Sequence, residues 1–254
     1  MAIDPAGAWG LKGAALSISN YRKPFLGTQP EFLHTPYASS IKRAPQKPLV
    51  AIPQTLSEVT GPLFDRDAQH AAECNLTRSA TGGEAQGQRI AVSGRVLDEN
   101  GRPVPHTLVE VWQANAAGRY LHRYDQHDAP LDPNFTGDGY TMTDELGRYR
   151  FVTIRPGCYP WGNHYNAWRP AHIHFSLFGP AMATRLVTQM YFPGDPMLPF
   201  DPIFNCTTDE KARNRLISQF DWETTIPGST IGHKFDFILR GADATPMEDA
   251  HHQD

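Results

Sequence analysis

From Arg89 onward the sequence is divided into short runs of β-type residues that turn residues separate. Val109 and Val111 flank Glu110, so this run would turn one apolar face toward a core if it formed a strand. The turn residues at 98–101 and 144–147 end two runs, and no helical pattern alternates with the runs. The pattern predicts a mainly β fold, an antiparallel β-sandwich core with few short helices. The runs are 90–97, 107–113, 148–154, 172–178, 186–192 and 234–239.

The sequence before these runs is dense in proline. Proline fixes φ and removes a backbone donor, so this stretch is predicted to be a long extended arm. Tyr21, Phe25, Phe32 and Tyr37 make it more aromatic than disordered leaders, so we expect it to pack on its own domain or on a neighbouring subunit. The predicted organisation is an arm and lead-in over 1–88, a β-sandwich catalytic domain over 89–241 and a polar tail over 242–254.

One helix is predicted after the strand over 186–192. Thr207 and Glu210 have the spacing of a capping box. Ala212, Leu216 and Phe220 recur at helical spacing and would form one apolar stripe. We interpret this helix as a packing element.

Charge and cysteine content restrict the partners and the compartment. A net charge of −4 and a pI near 6.2 give no field that attracts nucleic acid. No stretch approaches the ~20 apolar residues that span a bilayer, and no export signal is recognised, so we expect no membrane partner. Cys74, Cys158 and Cys206 have no Cys-x-x-Cys spacing, and their odd number cannot be fully paired within one chain, which favours a cytoplasmic location. Cys158 is interpreted as a buried structural thiol. The His251 and His252 pair is interpreted as part of a solvated terminus.

The stretch over 159–174 carries side chains that suit a metal ion. His172 and His174 are two residues apart in a predicted strand, so they project from the same face, although such a pair also fits strand histidines with ordinary hydrogen bonds. An isolated phenol titrates near ~10, but a bound cation stabilises the phenolate, so Tyr120 and Tyr159 are plausible anionic ligands. Two phenolates and a hydroxide balance a trivalent ion, and thiolates are absent from the set, so we predict Fe(III) and not zinc or an iron–sulfur cluster.

The ordered set Tyr120, Tyr159, His172 and His174 resembles the iron-ligand pattern of the intradiol ring-cleaving dioxygenases. The resemblance implies that these four residues hold one non-haem Fe(III) ion per chain. The flanking residues are similar to the catalytic β subunits of the family members that act on protocatechuate, except that Gly162 replaces a basic residue. The similarity covers about 21–241 and is most specific over 125–135, 159–174 and 189–192.

The resemblance also implies roles for residues around the metal. Arg169 would stabilise negative charge that develops on the substrate ring, Gln189 would hydrogen-bond the reacting centre, and Tyr159 would leave the metal when substrate binds. From the residues alone, Arg169 fits an ion pair equally well, and the aromatic residues fit core packing. The residues that match the substrate slot of the family are Trp161, Tyr191 and Ile203.

The activity that the resemblance implies is cleavage of protocatechuate with O2 to 3-carboxy-cis,cis-muconate in the catabolism of aromatic compounds. A homologous α subunit is the expected partner in a hetero-oligomer. Two alternatives stay open. A catechol or hydroxyquinol 1,2-dioxygenase is disfavoured because those relatives begin with a helical dimerisation region, and a non-catalytic assembly subunit is disfavoured because all four ligand types are present.

Overall fold

The computed structural model describes residues 25–50, 74–78, 82–179 and 185–248; Tyr21, His251 and His252 lie outside the described residues. In these four ranges, no helix has the length and apolar character that crossing a membrane requires. A 3-10 turn spans Leu198–Phe200, and the helices are α1 (Ala38–Arg43), α2 (Pro202–Asn205) and α3 (Glu210–Asn214). The strands are β1 (Arg89–Leu97), β2 (Leu108–Trp112), β3 (Asp138–Met142), β4 (Arg148–Ile154), β5 (Tyr159–Pro160), β6 (Trp168–Arg169), β7 (His172–Phe178), β8 (Leu186–Tyr191), β9 (Gln219–Ile226), β10 (Thr230–Lys234) and β11 (Phe237–Ile238).

Two main sheets form the domain and confirm the predicted β-sandwich class. The four-stranded sheet has the order β3-β2-β7-β8 with antiparallel neighbours throughout. In the five-stranded sheet, β1 pairs with β4 antiparallel but with β10 and β11 parallel, so this sheet is mixed and not wholly antiparallel as expected. Parallel pairing is possible because a long stretch of chain separates these partners, whereas a hairpin enforces antiparallel pairing. Strands β5 and β6 form a separate ribbon.

The core lies between the two main sheets. Phe151 of β4 and Phe237 of β11 face Phe175 of β7, with ring centroids 5.9 Å and 5.1 Å apart. The predicted apolar face of β2 is confirmed, because Val109 and Val111 are fully buried in this cluster. Burial of each large apolar side chain contributes about 1.5–3 kcal/mol, so this layer fixes the positions of β2 and β7.

The described part of the arm lies on its own domain. Asn163 of the sandwich accepts a hydrogen bond from Ala38 N (2.7 Å) and donates one to Pro36 O (2.9 Å). Tyr37 is 1 % exposed and packs against Trp161 with ring centroids 5.6 Å apart. Tyr37 thus packs on its own domain, whereas Phe25 and Phe32 are each 60 % exposed, so the packing of these two residues stays a prediction.

The predicted helix over 207–220 is much shorter in the structure. Asp209, and not Thr207, caps α3 by accepting a hydrogen bond from a backbone N–H of the first turn. After α3, Ser218 N donates to Tyr191 O (2.9 Å), which draws the chain into extended structure. Phe220 therefore lies in β9 and is exposed, so its helical spacing is accidental.

Residues 242–248, the described part of the predicted polar tail, lie against the domain. Thr245 and Glu248 are buried, although both are polar. Thr245 N donates to Ile238 O (2.8 Å), and Glu248 N donates to Val187 O (2.6 Å). The chain therefore returns to the edge of β8 and brings a carboxylate into the interior.

Candidate active site

The four predicted metal ligands come from three parts of the fold. His172 and His174 lie on β7 and are opposite Tyr191 and Gln189 of β8. Tyr159 begins the short strand β5, and Tyr120 lies in the connection between β2 and β3. The spacing of two residues on β7 places both imidazoles on one face of the sheet, as the sequence predicts.

The donor atoms of these four side chains converge. The Nε2 atoms of His172 and His174 are 3.1 Å apart. Tyr159 Oη lies 3.2 Å from His172 Nε2, and Tyr120 Oη lies 3.2 Å from His174 Nε2. The rings of the two tyrosines meet edge to face at 5.2 Å. The structure thus brings together two imidazole nitrogens and two phenol oxygens, which is the donor set that the sequence predicts.

The outer nitrogen of each imidazole is bound to an acceptor. His172 Nδ1 lies 2.7 Å from Pro170 O, and His174 Nδ1 lies 3.1 Å from Glu248 Oε2. A carbonyl or carboxylate oxygen only accepts, so each neutral ring carries its proton on Nδ1 and a lone pair on Nε2. The two Nε2 lone pairs, whose nitrogens lie 3.1 Å apart, and the two adjacent phenol oxygens offer four donor atoms to a single cation. The donor set therefore fits a metal ion.

The protonation states of the two phenols and the two imidazoles depend on whether the site binds a cation. Burial raises the pKa of Tyr120 well above its usual value, and the neighbouring Tyr159 raises it further. Burial also raises the pKa of Tyr159, although Arg169 opposes this shift. Burial and the positive charge of Arg169 hold the pKa of His172 well below its usual value. Both phenols thus stay protonated among protein groups alone, and only a bound cation would convert them to phenolates.

Arg169 is a buried cation beside this donor set. Its Nη1 lies 3.1 Å from His172 Nε2 and 3.4 Å from Tyr159 Oη. Its Nη2 donates to Asp201 Oδ2 at 2.9 Å in a salt bridge that is almost fully buried. Burial lowers the pKa of Arg169, but Asp201, Tyr159 and Tyr191 together raise it well above its usual value, so the guanidinium is charged.

The structure places the other predicted site residues around Arg169. Gln189 Oε1 accepts from Arg169 Nη2 at 2.6 Å and from Tyr191 Oη at 2.8 Å. Tyr191 is 1 % exposed, so the structure places it beneath the site within this network. Trp161 lies 5.4 Å from the guanidinium of Arg169, and Ile203 of α2 packs with Trp161 and Tyr37.

Three residues at the site had no functional role in the sequence analysis. Trp112 stacks on His174 with ring centroids 4.9 Å apart and an interplanar angle of 7°. Asp201 caps α2 and holds Arg169; the Asp-Pro pair that begins α2 was the available signal. Glu248 gave no signal, because it lies in a polar tail far from His174 in the sequence.

The loop after Tyr120 fixes the backbone of this ligand. Asp125 Oδ2 accepts from Tyr120 N at 2.8 Å, and its Oδ1 lies 2.7 Å from His127 Nδ1. His127 therefore serves as a hydrogen-bonding residue of this loop.

The interpretation of Cys158 as a buried thiol is wrong, because its side chain is exposed. The backbone of Cys158 approaches Gly118 so closely that a Cβ atom added to Gly118 would lie 2.1 Å from Cys158 O. The backbone of Cys158 thus occupies the inner position, and the thiol points away from it.

Comparison with known proteins identifies the family. A family model described as "Dioxygenase" matches residues 59–241, and one described as "Protocatechuate 3,4-dioxygenase beta subunit N terminal" matches residues 21–55. The protocatechuate 3,4-dioxygenase beta chain of Burkholderia cepacia is 58 % identical over 87 % of this chain and 94 % of its own. The protocatechuate 3,4-dioxygenase alpha chain of Pseudomonas putida is 28 % identical over 80 % of this chain and 99 % of its own.

Solved structures agree with this result. The crystal structure of 3-chlorocatechol 1,2-dioxygenase from Rhodococcus opacus 1CP superposes with a TM-score of 0.51 and 25 % identity, over 70 % of each chain. In the part of this chain that the structure describes, no group of three or more His, Cys, Asp or Glu side chains is arranged to hold a metal, so a metal site here depends on the tyrosines. The family models, the relative at 58 % identity and the shared fold together show that this chain belongs to the intradiol ring-cleaving dioxygenases.

Proposed function

We propose that this chain is the iron-bearing subunit of a protocatechuate 3,4-dioxygenase. It would cleave the ring of protocatechuate with O2 between the two hydroxylated carbons and form 3-carboxy-cis,cis-muconate. The observation that carries the proposal is the convergence of two phenol oxygens and two imidazole Nε2 atoms. Going around the site from Tyr159 through the two histidines to Tyr120, each donor atom lies 3.1–3.2 Å from the next. The identity of 58 % to a protocatechuate 3,4-dioxygenase beta chain supports the choice of substrate.

The proposed cofactor is one Fe(III) ion held by Tyr120, Tyr159, His172 and His174. Members of the family use non-haem iron. When bound, the ion would supply the Lewis acidity and the electron acceptance that make a catecholate ring reactive toward dioxygen. Two phenolate ligands neutralise much of the charge of a trivalent ion, which suits a site that already contains the buried charge of Arg169.

Tyr159 is the ligand that we propose to exchange with substrate. Its Oη lies 3.4 Å from Arg169 Nη1, so a positive charge stands beside it when it leaves the metal. It would then take up a proton from a substrate hydroxyl at Oη. The Tyr120 backbone is held by Asp125, and this favours Tyr120 as the ligand that stays.

Arg169 is proposed to stabilise negative charge that develops on the ring. Its guanidinium donates hydrogen bonds to Asp201, Gln189 and Tyr191 at 2.6–3.0 Å, so its orientation is fixed before substrate arrives. A fixed charge in a buried site costs little reorganisation during the reaction. Gln189 is proposed to act beside Arg169 at the reacting centre.

Trp161, Tyr191 and Ile203 remain the proposed substrate-binding residues. Trp161 and Ile203 lie in one small cluster with Tyr37 of the arm, so flat apolar walls stand beside the metal ligands. Flat apolar walls orient an aromatic ring. Tyr191 would contribute through its hydroxyl, which holds Arg169 at 3.0 Å.

The proposed partner is a homologous α subunit. The resemblance to a relative named as a beta chain and to another named as an alpha chain supports this assembly. A cytoplasmic location is also proposed, because the three cysteines have an odd number and cannot all pair within one chain.

The test is to purify this chain with its companion and to measure iron, visible absorption and products. We expect one iron per chain, a broad phenolate-to-iron absorption band, and 3-carboxy-cis,cis-muconate from protocatechuate by mass and ultraviolet spectrum. His172→Ala should abolish iron binding, whereas the matched variant His164→Ala, at an exposed histidine, should keep it. A colourless protein with full iron, or a semialdehyde product, would refute the proposal. Faster turnover of catechol or hydroxyquinol than of protocatechuate would support the alternative substrates.

A further inference from the structure

We infer that the segment over 245–248 is a positioning element of the metal centre, in which Glu248 aims His174 at the metal and Gln29 of the arm holds the segment in place. The inference rests on the proposed function, since it concerns the ligand His174. Neither the sequence pattern nor the family comparisons assign a role to Glu248 or Gln29. Glu248 acts through His174 and is therefore a positioning residue.

The contact between Glu248 and His174 is buried and specific. Glu248 Oε2 lies 3.1 Å from His174 Nδ1, and the two side chains are 3 % and 11 % exposed. A buried carboxylate accepts the Nδ1 proton, which leaves the Nε2 lone pair to face the other donor atoms. Trp112 stacks on the same imidazole with an interplanar angle of 7°. The hydrogen bond and the stacking together fix both the tautomer and the plane of the ring.

The two ligand histidines differ in their outer partners. His172 Nδ1 meets a backbone carbonyl, Pro170 O, which is neutral and lies two residues away in the chain. His174 Nδ1 instead meets a charged group from a distant part of the chain. A carboxylate increases the basicity of the imidazole more than a carbonyl does, so His174 is the stronger donor of the pair. Its donor strength depends on where the segment over 245–248 sits.

The sandwich anchors this segment through its backbone. Glu248 N donates to Val187 O at 2.6 Å, and Thr188 Oγ1 donates to Pro246 O at 2.7 Å. Val187 and Thr188 both lie on β8, which is the neighbour of the strand that carries His174. The anchoring sets the depth to which the Glu248 side chain enters the domain.

The arm holds the same segment from the other side. Gln29 Oε1 accepts from Met247 N at 2.8 Å, and Gln29 Nε2 donates to Thr245 O at 3.3 Å. One side chain thus pairs with two backbone groups that flank Pro246, as a neighbouring strand would. The arm is therefore connected to the metal centre by a chain of three contacts: Gln29 to the segment, Glu248 to His174, and His174 to the metal.

The test uses the full chain assembled with its companion, and it compares Glu248→Gln with Glu223→Gln, an isosteric change at an exposed glutamate. In Glu248→Gln we expect iron affinity, measured by competition with a chelator, to fall about 10–100-fold. A weaker imidazole donor leaves the iron easier to reduce, so the phenolate-to-iron band should move to longer wavelength. Glu223→Gln should match the wild type in both measurements.

A second pair of variants tests the arm contact independently of the carboxylate. Gln29→Ala should weaken iron binding several-fold and shift the band in the same direction, whereas Gln46→Ala, at an arm residue whose amide donates to Ala44 O within the arm, should change neither. If Glu248→Gln fails to fold, this pair still decides the inference. Wild-type affinity and band position in both Glu248→Gln and Gln29→Ala would overturn it. Absence of an iron band in the wild type would instead refute the proposed function.

Discussion

Tyr120 and Tyr159 have different surroundings, although each phenol oxygen lies 3.2 Å from an imidazole Nε2. Of these two tyrosines, Tyr159 is the one that has Arg169 within hydrogen-bonding distance. We expect Tyr159→Phe to alter the phenolate-to-iron band and to slow substrate binding, because the change removes both a ligand and a proton acceptor. Stopped-flow absorption measures both effects, and thermal unfolding should change less than either.

Tyr165→Phe is the matched control, since Tyr165 is fully exposed. It should leave the band and the binding rate unchanged. An unaltered band in Tyr159→Phe would show that Tyr159 is not a ligand.

Arg169 has a proposed role in charge stabilisation and also forms a buried salt bridge with Asp201. Arg169→Leu should slow the dioxygen step by about 10²–10³-fold, the size of effect expected for loss of a preorganised charge. It should also lower the free energy of unfolding by about 3–5 kcal/mol, because Asp201 is then buried without its partner. Transient kinetics with O2 and denaturant unfolding measure the two effects separately.

Arg169→Lys keeps the charge but loses the planar fork that meets Asp201 and Gln189. We expect it to recover part of the stability and less of the rate. If Arg169→Leu turned over at the wild-type rate, the role of Arg169 would be structural alone.

At the residue scale, the grouping of the four proposed metal ligands was predictable and the contacts that support them were not. His172 and His174 could be paired from a period of two along one strand, and the tyrosines from the family pattern. Glu248 could not be predicted, because only the folded chain brings it to His174 across the sheet. Local sequence carries no information about such a contact.

At the scale of a single strand, β10 carries a buried histidine that makes stability depend on pH. Burial and, to a lesser degree, Arg155 lower the pKa of His233 to about 4. The unfolded chain, with a pKa near ~6.5, therefore binds the proton first as the pH falls. The native state should lose stability between about pH 6.5 and 4, by about 3 kcal/mol in total, and none from this group above that window.

Denaturant unfolding of metal-free protein at several pH values measures this loss. His233→Gln should flatten the dependence in that window, since an amide does not titrate there. His164→Gln, at an exposed histidine, should leave the dependence as in the wild type. If the free energy of unfolding changed equally with pH in the wild type and in both variants, the assignment to His233 would be contradicted.

The elements differed in how well the sequence predicted them. Strand β7 was predicted with its exact bounds, because its side chains are nearly all apolar or ligand residues. Strand β9 was missed because it is mostly exposed and lacks an alternating apolar face. The parallel pairing of β1 with β10 and β11 could not be predicted, since it joins segments that are distant in sequence.

On the scale of the whole molecule, the exposed apolar side chains of the described residues include a neighbouring pair on the arm and another on β9. Phe25 is 60 % exposed and Leu26 is 100 % exposed on the arm, and Trp222 of β9 is 78 % exposed beside Phe220. Exposed apolar surface of this kind typically marks a contact with another chain. Arg169, the guanidinium beside the proposed substrate slot, is already paired with Asp201. We therefore expect the carboxylate of the substrate to be met by a cation from another source.

We therefore expect this chain to depend on its companion subunit. Expressed alone, it should aggregate or show poor activity and should bind a dye that reports apolar surface, because the companion no longer covers these side chains. Co-expression should restore a soluble complex, and it should raise the ratio of kcat/KM for protocatechuate over catechol, because the companion would supply the cation that meets the carboxylate. Size-exclusion chromatography and steady-state kinetics on both preparations measure this. A soluble and fully active homo-oligomer with a strong preference for protocatechuate would contradict the dependence and leave the assignment of the iron ligands intact.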